Sequence, residues 1–107
     1  MTTKIPIDDS FRDYFLEQLD RLSGLTNRRL FGGYGFYLDG KFFAILYQGR
    51  VYFKTDIVTR APYLEQGMQA FRPTEKQTLK NYYEVPAEVL EDSEQLMQWA
   101  LRARQVP

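Results

Sequence analysis

Tight turns divide the middle of the chain into short segments, and their spacing limits what it can fold into. Asp39-Gly40 is a strong signal for a two-residue β-hairpin turn, and Gly49 marks a second turn shortly afterwards. The segments around these turns, 34–38, 41–48 and 50–54, are strand-like, with side chains that alternate or are apolar on both faces. Parallel strands need long crossover connections, so this spacing predicts an antiparallel meander.

Helical patterns lie on both sides of the meander. Apolar residues recur at helical spacing before Gly24, which is expected to end the first helix. Asp92 and Gln95 have the spacing of a capping box at the start of the last helix. A shorter helix should end at Gly67, with Thr59 as its preferred cap because Pro62 is tolerated only in the first turn.

Two further strands are predicted at about 69–72 and 78–85, which gives the order α-β-β-β-(β)-α-β-β-α. A chain of 107 residues has room for a single hydrophobic core, so we expect one domain over 1–107. The fold class is therefore α+β, in two layers, with helices on one face of an antiparallel sheet of five to six strands.

The sheet face turned away from the helices is predicted to be unusually aromatic. In one phase of the strands it includes Tyr37, Tyr52 and either Phe42 with Leu46 or Tyr47. An apolar face of this size is rarely left to water. We expect a homodimer or a partner protein to cover it.

The absent residue types exclude most familiar catalytic sites. The chain has no His and no Cys, so histidine bases, catalytic triads and thiolate metal sites are impossible. It also lacks the glycine-rich fingerprints of nucleotide-binding loops. We therefore predict no enzyme activity, no cofactor and no metal. The longest apolar run, 42–47, is far too short to span a bilayer, and we expect a cytoplasmic protein.

Charge is uneven along the chain although the total is zero. Residues 1–27 carry −2, residues 28–80 carry +5 and residues 81–107 carry −3. Lys54 and Arg60 flank the start of the second helix and, with Arg28 or Arg29, could hold a phosphate or an acidic loop. Arg28 and Arg29 should point to opposite sides of a strand. Salt bridges inside the domain are the alternative, for instance from Arg60 to Asp56.

Two aromatic motifs have both a functional and a structural interpretation. The run 33–37, Gly-Tyr-Gly-Phe-Tyr, is similar to the strand on which RNA-recognition motifs stack bases, but Gly32 stands where that motif has Lys or Arg. The alternative is that the glycines permit a bulge or a tight turn. Tyr82 and Tyr83 should lie on opposite faces of one strand, so that one fills the core and the other faces outward.

Dispersed blocks of the sequence resemble one known family. They are 29–35, 39–44, 51–56 and 82–86, with Gly67-Met68, Phe71, and Trp99 with Ala103 in the same order. Together they resemble the N-terminal domain of the TfoX/Sxy competence regulators, over about 11–103. The resemblance implies a bacterial protein with a curved antiparallel sheet, whose full-length members regulate DNA-uptake genes.

The chain departs from these regulators by ending at Pro107, where they continue into a C-terminal helical domain. We therefore expect a stand-alone version of the domain that acts as a regulatory module and binds a partner protein. Components of the transcription machinery are candidate partners. The expected binding residues, for a protein or an anion, are given together: Arg28, Arg29, Tyr37, Tyr52, Lys54, Arg60 and Tyr82. The alternative is direct, salt-dependent DNA binding through the basic sheet region.

Overall fold

The computed structural model describes residues 9–30 and 32–107, and Phe31, part of the family pattern, lies outside them. Four helices and six strands are present in this part of the chain. In order they are α1 (Asp9–Gln18), β1 (Leu25–Leu30), β2 (Gly33–Leu38), β3 (Lys41–Tyr47), β4 (Arg50–Lys54), α2 (Ala61–Glu65), β5 (Ala70–Thr74), β6 (Gln77–Glu84), α3 (Ala87–Leu90) and α4 (Ser93–Gln105). The predicted α+β class and element order are confirmed.

One antiparallel sheet has the strand order β1-β2-β3-β4-β6-β5. The two-residue turns on either side of β3 have positive φ at both positions, at Asp39 and Gly40 (53° and 81°) and at Gln48 and Gly49 (51° and 76°). This is the conformation of type I′ turns, whose twist matches that of the flanking strands. The predicted hairpins are therefore present, and they fix the register of the meander.

The main core lies between the sheet and the helices. Its buried members come from every layer: Phe15 of α1, Phe36 of β2, Phe53 of β4 and Leu96 of α4 all have 0% exposure. The Phe15 ring meets the Phe36 ring edge-on, with centroids 4.8 Å apart. Aromatic burial on this scale lets a short chain form an adequate core without disulfides.

The helix ends differ in part from the sequence predictions. The Asp92 cap is confirmed, since its carboxylate accepts the backbone N–H of Gln95 at 3.2 Å. The Thr59 cap is wrong: Arg60 stands at the N-cap of α2 and makes no side-chain capping bond. Thr59 instead accepts the backbone N–H of Asp56 at 2.9 Å, in the turn before the helix. Helix α1 stops at Gln18, before Gly24, and α3 was not predicted.

A β-bulge in β3 resolves which residues face away from the helices. Phe36 pairs with Ala44 whereas Tyr37 pairs with Phe42, so Phe43 is an extra residue in β3. Side chains alternate along a strand, and the extra residue reverses that alternation. Phe42 and Tyr47 therefore both lie on the far face, while Leu46 joins the helix-side core. The sequence analysis places either Phe42 with Leu46 or Tyr47 on this face, because it assumes unbroken alternation along β3.

The sheet is strongly curved. Three inter-strand steps separate β3 from β5, which in a flat sheet is roughly 14 Å. The rings of Tyr47 in β3 and Phe71 in β5 nevertheless have centroids only 5.3 Å apart, across the face opposite the helices. That face is therefore concave. The chain covers part of it by itself, because Phe71, Ile45 and Tyr52 are at most 9% exposed. That a homodimer or a partner protein covers the rest of this face stays a prediction.

Two glycines of the family pattern are required by close packing. A Cβ at Gly33 would overlap the backbone carbonyl oxygen of Leu46 in the neighbouring strand. A Cβ at Gly35 would lie 2.7 Å from the Phe42 ring and 2.9 Å from a methyl group of Leu30. The glycines thus permit close approach inside the sheet. They lie within β2 and not in the tight turn that the sequence interpretation had allowed.

We expect Gly33→Ala to lower the free energy of unfolding by about 1–3 kcal/mol, because the overlapped atom belongs to the backbone. Gly35→Ala is the matched control and should cost less, since side-chain atoms of Phe42 and Leu30 can move aside. Thermal unfolding of the two variants measures the difference. Equal melting temperatures for Gly33→Ala and the parent protein would contradict this account of the glycine.

Candidate functional site

The face of the sheet opposite the helices carries a continuous group of rings, which we call the concave aromatic face. It consists of Tyr37, Phe42, Tyr47, Tyr52, Phe71 and Tyr82. The residues come from five of the six strands, β2 to β6. The curvature of the sheet and the bulge at Phe43 bring them onto one surface.

Two short chains of ring contacts cross this face. In the first, the Phe42 ring lies between Tyr37 and Tyr82, with centroids 5.2 Å and 5.7 Å away. In the second, Phe71 lies between Tyr52 at 4.6 Å and Tyr47 at 5.3 Å. The second chain is centred on a fully buried ring, whereas Tyr37, Phe42 and Tyr82 of the first are half-buried. Tyr47 of the second chain is half-buried as well, but only the first chain is half-buried throughout, so it is the larger part of the face open to a ligand.

The tyrosine hydroxyls of this face are available for binding. Those of Tyr37, Tyr52 and Tyr82 make no hydrogen bond to any residue that the structure describes, and none is sealed from solvent. Burial raises the pKa of Tyr82 to about 12, with the nearby Tyr37 adding to the shift. Burial also raises the pKa of Tyr52, with a contribution from Glu84. At neutral pH these phenols are protonated and can donate hydrogen bonds.

Arg28 joins this face and Arg29 does not. The Arg28 guanidinium lies 5.9 Å from the centroid of the Tyr37 ring. The Arg29 guanidinium lies 5.6 Å from the ring of Tyr34, which belongs to the helix-side core. The prediction that the two arginines point to opposite sides is confirmed. A single flat ligand can therefore meet only one of them.

The remaining predicted cations are not gathered into one anion site. Lys54 lies opposite Tyr82 in the pairing of β4 with β6, three strands from Arg28. The Arg60 guanidinium donates to Thr55 Oγ1 at 3.1 Å and to Asn81 Oδ1 at 3.0 Å. It also lies 5.4 Å from the Tyr83 ring centroid. Arg60 is thus engaged within the domain by hydrogen bonds to neutral groups, and among the described residues it does not form the salt bridge that the alternative interpretation proposed.

The suggested partner of Arg60 was wrong, because Asp56 has a different role. Its carboxylate accepts the backbone N–H groups of Val58 at 3.0 Å and Thr59 at 2.8 Å. The hydrogen bond from Thr59 is the main reason that the pKa of Asp56 is lowered. Among the described residues Asp56 forms no ion pair within 4 Å.

Tyr34 is unsuited to stacking a nucleobase. It is 5% exposed, and its hydroxyl donates to Asp9 Oδ1 at 2.6 Å while accepting from the Arg12 guanidinium at 3.0 Å. The hydrogen bond to Asp9 raises the pKa of Tyr34. Tyr34 therefore ties α1 to β2, and the similarity of this strand to an RNA-binding motif does not extend to its surroundings.

One exposed apolar feature was missed by the sequence reasoning. Ile57 and Val58 are 85% and 77% exposed in the turn that Asp56 and Thr59 hold. A signal was available, because Asp favours turns in which its side chain bonds the backbone two residues on, and turns lie at the surface. Over residues 9–30 and 32–107 there is no group of three acidic residues arranged to hold a metal ion. No helix in that same part of the chain has the length and hydropathy of a membrane span.

A comparison with protein families matches residues 17–106 to the TfoX N-terminal domain. This is nearly the whole chain. The chain belongs to the TfoX N-terminal domain family. No curated protein matches it at a significant level.

The family pattern of this TfoX N-terminal domain maps mainly onto its architecture. The Gly33 and Gly35 positions are fixed by strand packing, Asp39-Gly40 by the hairpin, and Trp99 by its contact with Tyr63, with ring centroids 4.7 Å apart. The concave aromatic face combines pattern residues with others, such as Tyr37 and Tyr47, that lie outside the blocks. The pattern therefore identifies the fold, while the site has to be argued from its own geometry.

Proposed function

We propose that this TfoX N-terminal domain is a regulatory interaction module that binds a partner protein on its concave aromatic face. Membership of the family makes it a competence-regulator-like module. The observation that carries the finer proposal is the half-buried ring chain of Tyr37, Phe42 and Tyr82. Its rings are fixed by packing, so little conformational freedom is lost when a partner binds.

The chemistry of this surface is that of a protein-binding hot spot. Tyrosine and arginine are enriched among residues that dominate binding energy, and they cluster at the centre of interfaces. Here three half-buried rings adjoin Arg28, and the tyrosine hydroxyls have no partner among the described residues. A protein ligand can cover the rings with apolar side chains and accept hydrogen bonds from the hydroxyls. Binding, with no covalent chemistry, is the role we assign to this face.

DNA is the competing ligand, and the placement of the cations makes it the second choice. Arg28 and Arg29 lie on opposite faces of the sheet, and Arg60 is held by Thr55 and Asn81. Phosphate groups of a duplex approach from one side, so few of these cations can contact them together. Affinity for DNA depends on the number of neutralised phosphates. We therefore expect at most weak binding to duplex DNA.

Photocrosslinking tests the proposal. A benzophenone amino acid placed at Tyr82 in living bacteria should capture one protein, and Tyr37→Ser in the same chain should abolish the product. The control position is Tyr14 of α1, a tyrosine that is 36% exposed and packs on the helix side. An identical product from Tyr14, or a product from Tyr82 that survives Tyr37→Ser, would refute the proposed face.

Fluorescence anisotropy of a labelled DNA duplex tests whether DNA is the ligand instead. We expect no saturable binding at physiological salt. Binding that weakens steeply with salt and is lost in Arg28→Glu, Arg29→Glu would instead assign the function to nucleic acid.

A further inference from the structure

The two edges of the sheet differ in their readiness to accept another strand. At one edge, β5 contains Pro73 and two register shifts against β6. Both features are devices that prevent pairing with another chain. At the other edge, β1 pairs with β2 in unbroken register through all six residues from Leu25 to Leu30, and it contains no proline.

Strand β1 is exposed along its length. Its four central residues, Thr26 to Arg29, are all exposed, and no residue of β1 is hydrogen-bonded on the side away from β2 within the described chain. An edge strand in this state presents backbone N–H and C=O groups at the spacing that a further strand requires. The geometry is therefore that of a sheet that can be extended by one strand.

The charges on β1 define what kind of strand fits. Arg28 and Arg29 form no salt bridge with a described residue, and β1 contains no carboxylate. Each guanidinium lies over a tyrosine ring, Arg28 on the concave face and Arg29 on the helix face. The two positive charges thus flank the edge from both sides. Two adjacent acidic residues in an added strand would point to opposite faces and meet one arginine each.

A second copy of this chain is a poor occupant. Antiparallel pairing of two β1 strands would bring Arg28 and Arg29 of both copies close together, and like charges across a strand pair are destabilising. Duplex DNA is also poorly matched, since the arginines face opposite ways.

We propose that the β1 edge binds an extended, acidic segment of a partner protein by strand addition, with adjacent carboxylates paired to Arg28 and Arg29. This rests on the proposed function in that the ligand is a protein, but it uses a surface of its own. The added strand would enlarge the concave aromatic face beside Tyr37, where Arg28 already lies.

A synthetic peptide tests the proposal. The probe is a labelled octapeptide with a central Glu-Asp pair among threonines and valines, titrated into ¹⁵N-labelled full-length protein. Amide shifts should be concentrated in 25–30. Replacing Glu-Asp by Gln-Asn should weaken binding by about tenfold. A peptide N-methylated at alternate residues should not bind, because it cannot pair with the strand backbone.

Charge exchange provides the second arm. Arg28→Glu, Arg29→Glu should lose the Glu-Asp peptide and bind the same octapeptide with Arg-Lys at its centre. Both side chains are exposed, so the variant should remain folded. Equal binding of the N-methylated peptide, shifts concentrated in α4, or no binding of the Glu-Asp peptide at millimolar concentration would overturn the proposal. So would dimerisation of the free chain through β1 in sedimentation.

The two proposals fail separately. Phe42→Ala removes a ring of the concave aromatic face next to position 82 and leaves β1 intact, so it should abolish the photocrosslink from position 82 without changing peptide affinity. Loss of peptide binding with the crosslink retained would reject strand addition alone. The converse result would reject the concave face alone.

Discussion

Replacing Phe71 by alanine should lower the free energy of unfolding by about 3–5 kcal/mol. The ring is fully buried and lies between Tyr52 and Tyr47, with centroids 4.6 Å and 5.3 Å away. It is the only fully buried phenylalanine among the described residues that lies outside the helix-side core. Removing it leaves a cavity that its neighbours can fill only in part. Because domains of this size are stable by about 5–15 kcal/mol, the variant should be close to unfolding at room temperature.

Urea denaturation followed by Trp99 fluorescence and by circular dichroism measures this loss. Ile57→Ala is the control, because it shortens an aliphatic side chain that is 85% exposed and should change stability by less than about 0.5 kcal/mol. Phe71→Leu should lie between the two. If Phe71→Ala unfolded at the same urea concentration as the control, the concave cluster would not be a second core.

Alkaline pH should destabilise the protein steeply between about pH 10 and pH 12. Burial raises the pKa of Tyr63 strongly, raises that of Tyr82 to about 12 and raises that of Tyr52. Unfolded tyrosine has a pKa near ~10. Above that pH the unfolded chain releases protons that the folded chain retains, so the folded state loses stability. Below pH 10 the contribution is fully present, and it falls as the pH rises through the folded pKa values.

Denaturation at a series of pH values from 8 to ~12 measures this dependence. Tyr82 is half-exposed, so solvent reduces its share to about 1–2 kcal/mol, and Tyr82→Phe should flatten the curve by that amount. The control is Phe42→Leu, which alters a neighbouring ring without an ionisable group and should lower stability equally at every pH. A Tyr82→Phe curve parallel to that of the parent protein would contradict the assignment.

Local chemistry made much of this fold predictable. The two-residue turn at Asp39-Gly40 and the cap at Asp92 depend on a few neighbouring atoms, so their signals are present in short stretches of sequence. The prediction that Thr59 caps α2 was wrong for a reason that is also local. Both Asp56 and Thr59 are capping residue types, and they satisfy one another in the turn before α2. Sequence spacing alone did not show which of the two competing bonds would form.

The candidate site was less predictable because it depends on tertiary contacts between distant parts of the chain. Of the proposed binding residues, the arginine Arg28 and the three tyrosines lie on the concave face. These side chains come close together only because the sheet is curved enough to bring Phe71 near Tyr47. That curvature is a property of the whole sheet. The hydrogen-bond partners of Arg60 were not predictable because Thr55 follows β4 whereas Asn81 lies in β6, far along the chain. Opposite faces for Arg28 and Arg29 followed directly from strand alternation.

The extra residue at Phe43 makes the length of β3 as important as its composition. Tight turns at Asp39-Gly40 and Gln48-Gly49 clamp both ends of this strand, so an insertion or a deletion within it has no loop to absorb it. Losing one residue would restore strict alternation. Side chains that now face the helices would then point to the concave face, and the reverse. Relatives of this domain can therefore exchange apolar residues along 41–47 with modest loss, but a gap there in an alignment would mark a change of architecture.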